Sequence, residues 1–299
     1  MKFRITHTTL YEYSQNAGLC QNEARLQPRD FWRQQCQSSY YQITPTPTDY
    51  RERKDFFGNR AAYFAVQQPH LQLDVTAISE VVILPRQTTL DLFNQESWEQ
   101  VRDSLQETSI KSPLQWQELL EAKQYILDSP MVVTEPALAD YAKPSFFPDR
   151  PLLEVVSDLT RRIYTDFIYD PSFTTIATPL AEVLAHRRGV CQDFAHMAIG
   201  CLRSFGIAAR YVSGYIETLP APGQEKLVGT DASHAWFAVY IPGSGWLEFD
   251  PTNNQVPYDQ HITLAWGRDF SDVTPLKGIA YGGGEHKLSV YVDVRRLES

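Results

Sequence analysis

Arg187-Arg188-Gly189-Val190-Cys191-Gln192-Asp193-Phe194-Ala195-His196-Met197-Ala198 runs through Ile199-Gly200-Cys201-Leu202-Arg203-Ser204-Phe205-Gly206-Ile207 into Ala208-Ala209-Arg210-Tyr211-Val212-Ser213-Gly214-Tyr215-Ile216. Gly189 interrupts what precedes it. From Cys191 the apolar residues Phe194, Ala198, Cys201, Leu202 and Phe205 recur at helical spacing. Gly206 is placed to cap the C-terminus of that helix, and the β-branched and aromatic residues 209–216 read as a strand. A cysteine therefore sits in the first turn of a helix, where unpaired N–H groups and the positive dipole end favour a thiolate. At about 100° per residue, the apolar residues fall within about 80° of Cys191, whereas His196 lies about 140° round. The thiol faces the protein interior, and any base must come from elsewhere in the chain.

Residues 234–241 (His-Ala-Trp-Phe-Ala-Val-Tyr-Ile) and 246–250 (Trp-Leu-Glu-Phe-Asp) read as the two strands of a hairpin joined by a Gly-rich turn at 242–245. His234 opens the first strand and Asp250 closes the second, so both lie at its open end. Side chains alternate along a strand, so the two share a face only if the connection has an odd number of residues, or a bulge corrects it. Trp236, two residues on, shares the face of His234 and reads as a core aromatic or as a wall beside the imidazole. A cysteine at a helix N-terminus with His and Asp on adjacent strands follows the logic of an activated thiol.

The order Gly-Val-Cys-Gln-Asp-Phe-Ala, Gly-Ile-Ala-Ala-Arg-Tyr-Val-Ser-Gly-Tyr, Ser-His-Ala-Trp and Trp-Leu-Glu-Phe-Asp-Pro-Thr resembles the transglutaminase-like superfamily of papain-type fold. More narrowly, it is similar to bacterial transglutaminase-like proteins described as cysteine proteases. Asn22-Glu23-Ala24-Arg25-Leu26-Gln27-Pro28-Arg29 and Phe57-Gly58-Asn59 resemble the β-rich domain that precedes the core in that subfamily, and residues 267–273 and 282–286 resemble its tail. The resemblance implies that Cys191 is the nucleophile, His234 the base and Asp250 the carboxylate that orients it. It also implies an oxyanion donor upstream of the cysteine, for which Tyr164 and Tyr169 are candidates by position, Tyr169 the one carried forward. Gln192 follows the cysteine instead of preceding it, which makes it the weaker candidate.

The rest of the chain frames that core. With 299 residues, two domains are the expectation. Residues 1–85 alternate as short strands and imply an antiparallel β-sandwich or open barrel. Residues 86–150 switch to helical spacing at 97–105 and 112–127, with Ser112 as a cap before Pro113, and then to a Pro-punctuated linker. Residues 151–299 form the catalytic core with C-terminal strands. They include a helix near 151–164, a shorter one capped by Thr178-Pro179, and a polar loop at 217–230 that reads as a rim or lid. Whether the last strand, 288–294, joins the core or returns to the N-terminal sheet is left open. The fold class is α+β.

A net charge of −9 excludes the basic face of a nucleic-acid binder, and no apolar run is long enough to span a membrane. Four cysteines (Cys20, Cys36, Cys191, Cys201) make no disulfide framework. With the absence of a signal-peptide pattern, this points to a reducing cytoplasm. Cys201 reads as a small buried hydrophobe, and Cys20 and Cys36 as a free buried pair. His7 and His70 read as structural. His186, Cys191 and His196 cluster in sequence, but the last two diverge on the helix and no zinc or calcium spacing is present, so no metal or cofactor is expected. Asp193 reads as a first-turn carboxylate favoured by the dipole.

The expected chemistry is acyl transfer on a peptide or protein substrate, as a cysteine peptidase or amidase working through a thioester. A protein-glutamine transglutaminase is the alternative reading. A catalytically silent binding or scaffold module is the third.

Overall fold

A computed structural model describes residues 1–84, 96–107, 113–218 and 233–297. Strands β1 (Lys2–Ala24), β2 (Gln34–Thr44), β3 (Asp49–Lys54), β4 (Arg60–Val66) and β5 (His70–Ile83) open the chain. Helices α1 (Trp98–Gln106), α2 (Pro113–Lys123), α3 (Pro136–Ala142) and α4 (Leu152–Asp166) follow. Next come β6 (Ile168–Tyr169), α5 (Leu180–His186), β7 (Arg188–Gly189), α6 (Cys191–Ser204), β8 (Ala209–Ile216) and β9 (Ser233–Ile241). The chain finishes with β10 (Gly245–Phe249), β11 (His261–Gly267), α7 (Phe270–Val273), β12 (Leu276–Gly282) and β13 (His286–Leu297).

The N-terminal region is one continuous antiparallel sheet of order β2-β5-β1-β4-β3, with β12 and β13 also on β1. Along β1, Phe3, Ile5, His7 and Thr9 are buried while their neighbours are not, the alternation of a sheet with one dry face. The first half of β1 pairs with β5 and β13, its second half with β4 and β12, and the register shifts between Glu12 and Ala17. The two halves enclose a small second core of Ala17, Cys20, Phe64, Val66, Leu73 and Val75, which gives the single sheet its sandwich-like depth. The C-terminal strand, open in the sequence, returns here: Leu288 to Val294 pairs with Tyr11 to Ile5. A large connected core runs from Phe3 and Ile5 through the helices to Phe194, Phe237 and Val294, and a third, small cluster holds Val212, Trp236, Ala238 and Trp266.

The second sheet has the order β10-β9-β8-β11 and is antiparallel throughout. Helix α6 packs on one face; it is apolar nearly all round, with Phe194 to Leu202 buried, as a central helix must be. Gly206 adopts φ 75°, and Ile207 N–H bonds Leu202 C=O, the left-handed stop expected after Phe205.

The N-terminal region docks on the other face. Gln34 donates from Nε2 to the Thr263 carbonyl (2.7 Å), and its Oε1 accepts from Thr263 N–H (2.8 Å). Asn59 repeats the device, donating to the Trp266 carbonyl at 2.9 Å and accepting from its N–H at 3.0 Å. Two buried amides thereby satisfy the outer edge of β11 as a further strand would. Arg33 pairs with Glu248 at 2.7 Å, both largely buried.

Several local expectations are corrected. The linker at 128–151 contains α3, entered through Pro136 at its first position. α2 stops at Lys123, short of 127. Thr178 does not cap α5; its hydroxyl accepts from Thr175 N–H, and Pro179 holds the cap position. Cys20 and Cys36 are both free, but Cys36 is only half-buried, so they do not form a buried pair. The Ser112 cap and all but the start of the 217–230 loop lie outside the described residues.

Candidate functional site

The approach to α6 is built to hold Cys191 in one place. β6 runs parallel to β7, pairing Ile168 with Arg188 and Tyr169 with Gly189. Asp193 reaches back from the first turn: its Oδ2 accepts from Val190 N–H at 2.8 Å and from the Thr174 hydroxyl at 2.8 Å. Gly189 is required by this contact, because a Cβ there would lie 2.6 Å from Asp193 Oδ2. Cys191 then begins the helix, half-buried, with first-turn N–H groups that no helical carbonyl satisfies. Tyr169 is exposed beside it; burial and the nearby Cys191 and Asp193 raise its hydroxyl above the usual range.

His234 stands opposite. The hairpin register pairs Gly245 with Ile241, leaving the three-residue connection Pro242-Gly243-Ser244, an odd number, so Asp250 shares the face of His234. His234 Nε2 lies 2.8 Å from Asp250 Oδ2. That contact leaves Nδ1 free, with Cys191 close enough to bear on the ring's protonation. Burial alone would push His234 down; the Asp250 hydrogen bond and the nearby Cys191 outweigh it and raise the imidazole to about 10. Asp250 is fully buried. Burial would raise its carboxyl, but the His234, His261 and Asn253 hydrogen bonds hold it well below the usual carboxylate range.

Two of those partners were not anticipated. His261, at the start of β11, places Nε2 3.0 Å from the same Oδ2, and Asn253 donates to it from Nδ2 at 2.7 Å. The other oxygen accepts backbone N–H groups from Thr252 (3.0 Å) and Asn253 (3.3 Å). His261 is buried and pushed down by desolvation, so the Asp250 contact assigns it as a neutral ring donating from Nε2, with Nδ1 a buried acceptor lacking a partner. Trp236 is fully buried, stacked on His234 (5.9 Å, 29°) and edge-on to His261 (5.1 Å). It is both a core aromatic and a wall against the imidazoles.

Other candidates sit apart. Gln192 lines a cavity of about 320 Å³ with Pro130, Ile176, Thr178, Asp193 and His196, on the far side of the helix start. His196 is buried against Tyr211 (5.0 Å), and its Nε2 accepts from Phe270 N–H (3.1 Å), so it serves the α7 junction. Cys201 is buried mid-helix, its thiol donating to the Leu138 carbonyl (3.5 Å) and pushed up to about 12 by burial. His7 bonds Tyr215 Oη at 2.9 Å, joining β1 to β8. His186 packs on Phe173 (5.3 Å), away from any metal-like set. Among the described residues, His234, Asp250 and His261 bring donor atoms within 4.8 Å of one another and are the set able to hold a metal ion. Their N···O separations of 2.8 and 3.0 Å are those of hydrogen bonds.

The chain belongs to the transglutaminase-like superfamily. Residues 141–251 match the model of that superfamily, and residues 3–82 match the bacterial transglutaminase-like N-terminal region. An uncharacterized protein of Mycobacterium tuberculosis is 41% identical over 99% of this chain and 93% of its own length. One of Mycobacterium leprae is 32% identical over 99% of each chain. A protein-glutamine gamma-glutamyltransferase of Pseudomonas aeruginosa is 36% identical over 103 residues, 32% of this chain and 15% of that protein. Among solved structures, a candidate cysteine protease from Cytophaga hutchinsonii superposes with a TM-score of 0.76 at 20% identity, covering 100% of this chain and 91% of that one, which establishes a shared fold.

Proposed function

We propose that this protein is a thiol-dependent acyl-transfer enzyme acting on peptide or amide bonds. Cys191 is the nucleophile, His234 the acid–base group and Asp250 the orienting carboxylate. The observation that carries this reading is the 2.8 Å hydrogen bond of His234 with Asp250, with Cys191 beside that imidazole at the N-terminus of α6. The imidazolium and the helix dipole favour a thiolate. Its sulfur attacks the carbonyl carbon, and first-turn N–H groups and the Tyr169 hydroxyl donate to the developing oxyanion. As the C–N bond breaks, His234 gives its Nδ1 proton to the leaving amine. Asp250 holds the ring in the tautomer that keeps Nδ1 toward sulfur. The thioester is then resolved by water, with His234 as base, to give the acid and regenerate the thiol. The free thiols suit a reducing compartment such as the cytoplasm.

The second reading is that an amine resolves the thioester, and the local likeness to a protein-glutamine gamma-glutamyltransferase favours it. One experiment tests both. The protein is incubated with casein, with and without a fluorescent primary amine. New peptide N-termini support the hydrolase, and amine incorporation supports the transglutaminase. Retention of either activity in Cys191→Ala refutes the thiol mechanism, and no Cys191-dependent product in either arm favours the silent binding module.

A further inference from the structure

At the opposite end of the catalytic face, the sheet carries a second set of unusual groups. Trp266 has the Arg29 guanidinium 3.2 Å from its ring centroid and that of Arg210 at 3.7 Å. Two guanidinium groups cannot share one face of a ring at such distances, so the indole is sandwiched. Arg210 also lies 4.2 Å from the Trp246 ring, extending the stack to Arg29–Trp266–Arg210–Trp246. Stacking on indoles is favourable for a cation, but it leaves the in-plane N–H donors of the guanidinium free. Arg29 donates from Nη1 to the Phe57 carbonyl and Asn59 Oδ1, while its Nε is buried without a partner. Arg210 spends none: it is 5% exposed, its Nε is buried without a partner, and it makes no hydrogen bond or ion pair with any described residue. The acid nearest on the sheet, Glu248, is taken by Arg33.

Arg210 lines a cavity of about 420 Å³, walled by Phe31, Tyr240, Trp246, Trp266 and the Arg33–Glu248 pair, with Glu118 and Glu121 exposed at its mouth. That volume is within the range of small-molecule sites. Tyr240 is six residues beyond His234 on β9, so the cavity lies about 20 Å from the candidate catalytic centre at the usual rise per residue. Burial lowers both arginines, Arg210 to about 10 and Arg29, which also feels Arg210, to about 9; both stay charged at neutral pH.

We propose that this cavity is a binding site for a small aromatic monocarboxylate, with Arg210 clamping the carboxylate and the aromatic lining of Phe31, Trp32 and Tyr240 against the flat body. A guanidinium fork matches a carboxylate bidentately, and a buried one without a partner lacks that match in the ligand-free chain. The two glutamates at the mouth disfavour more highly charged anions. This site is independent of the acyl-transfer chemistry.

Isothermal calorimetry with benzoate and its neutral isostere benzamide tests the proposal on the full chain. Benzoate is expected to bind saturably at one site with a Kd at or below about 1 mM, and benzamide at least about tenfold more weakly. Arg210→Met is expected to lose benzoate binding. Because removal of a stacked arginine can unsettle the sheet, Glu121→Gln, at the exposed mouth, provides the second arm. It is expected to tighten benzoate severalfold and leave benzamide unchanged. No saturable heat up to about 10 mM benzoate, equal affinities for the two compounds, or weakened benzoate binding in Glu121→Gln would each overturn it.

Discussion

His261 Nε2 lies 3.0 Å from the Asp250 Oδ2 that His234 Nε2 contacts at 2.8 Å, so one carboxylate oxygen is shared by two imidazoles. Of the two rings, His234 is the one on which Cys191 bears. In the proposed mechanism His261 therefore positions Asp250, and the shared oxygen cannot rotate away without breaking both bonds.

This arrangement ranks two substitutions. Asp250→Asn removes the orienting charge and is expected to slow Cys191-dependent acyl transfer by about 10³-fold or more, as loss of the equivalent group does in other triads. His261→Gln removes one charge-assisted hydrogen bond and is expected to cost about tenfold. Equal losses would assign His261 a direct role in activating the thiol.

The two helical cysteines should behave differently. Cys191 is half-buried beside an imidazole, whereas Cys201 is enclosed and pushed up to about 12. Mass spectrometry after brief treatment with an electrophilic amide analogue is expected to find the adduct in Cys201→Ala and none in Cys191→Ala. Equal labelling of the two variants would end the assignment.

Stability should fall in mild acid. Burial pushes His7 and His196 from the ordinary 6.5 to about 4 in the fold. Between those values the unfolded chain binds protons that the folded chain does not, so stability rises with pH. It is complete above about 6.5, declines as pH falls toward 4, and has lost this contribution below that. Urea midpoints measured from pH 7 to pH 4 should show the decline, and His7→Gln should flatten part of it. An unchanged slope in that variant would assign the decline to other groups.

The docking of the N-terminal region on the second sheet rests in part on Arg33 and Glu248. Arg33→Met strands a buried carboxylate and is expected to cost about 3 kcal/mol in chemical denaturation. A change below about 0.5 kcal/mol, the range of ordinary surface substitutions, would show that the pair is not structurally important.

Much of this organisation was legible because it is local. The period of residues 191–205, the left-handed stop at Gly206 and the strand at 209–216 are each set by neighbours in sequence. The parity of His234 and Asp250 was posed correctly, but only the register could supply the three-residue connection. His261 escaped notice because its role depends on long-range pairing, whereas Asn253 contacts Asp250 from only three residues away in a turn whose side-chain direction no period encodes. β11 joins β8, not its predecessor β10, and no period within residues 251–267 encodes that choice. Gln34 and Asn59 were illegible for the same reason: their amides act on a strand more than 200 residues away. The closing strand returned to β1 through a pairing that alternation alone cannot direct.

The most direct test of the central claim is the pH profile of iodoacetamide labelling at Cys191, for the wild type beside His234→Ala. The account predicts rapid alkylation of the wild type persisting well below the ordinary thiol value of about 8.5, and its loss in the variant. Slow, thiol-like labelling in the wild type, unchanged by the substitution, would contradict it.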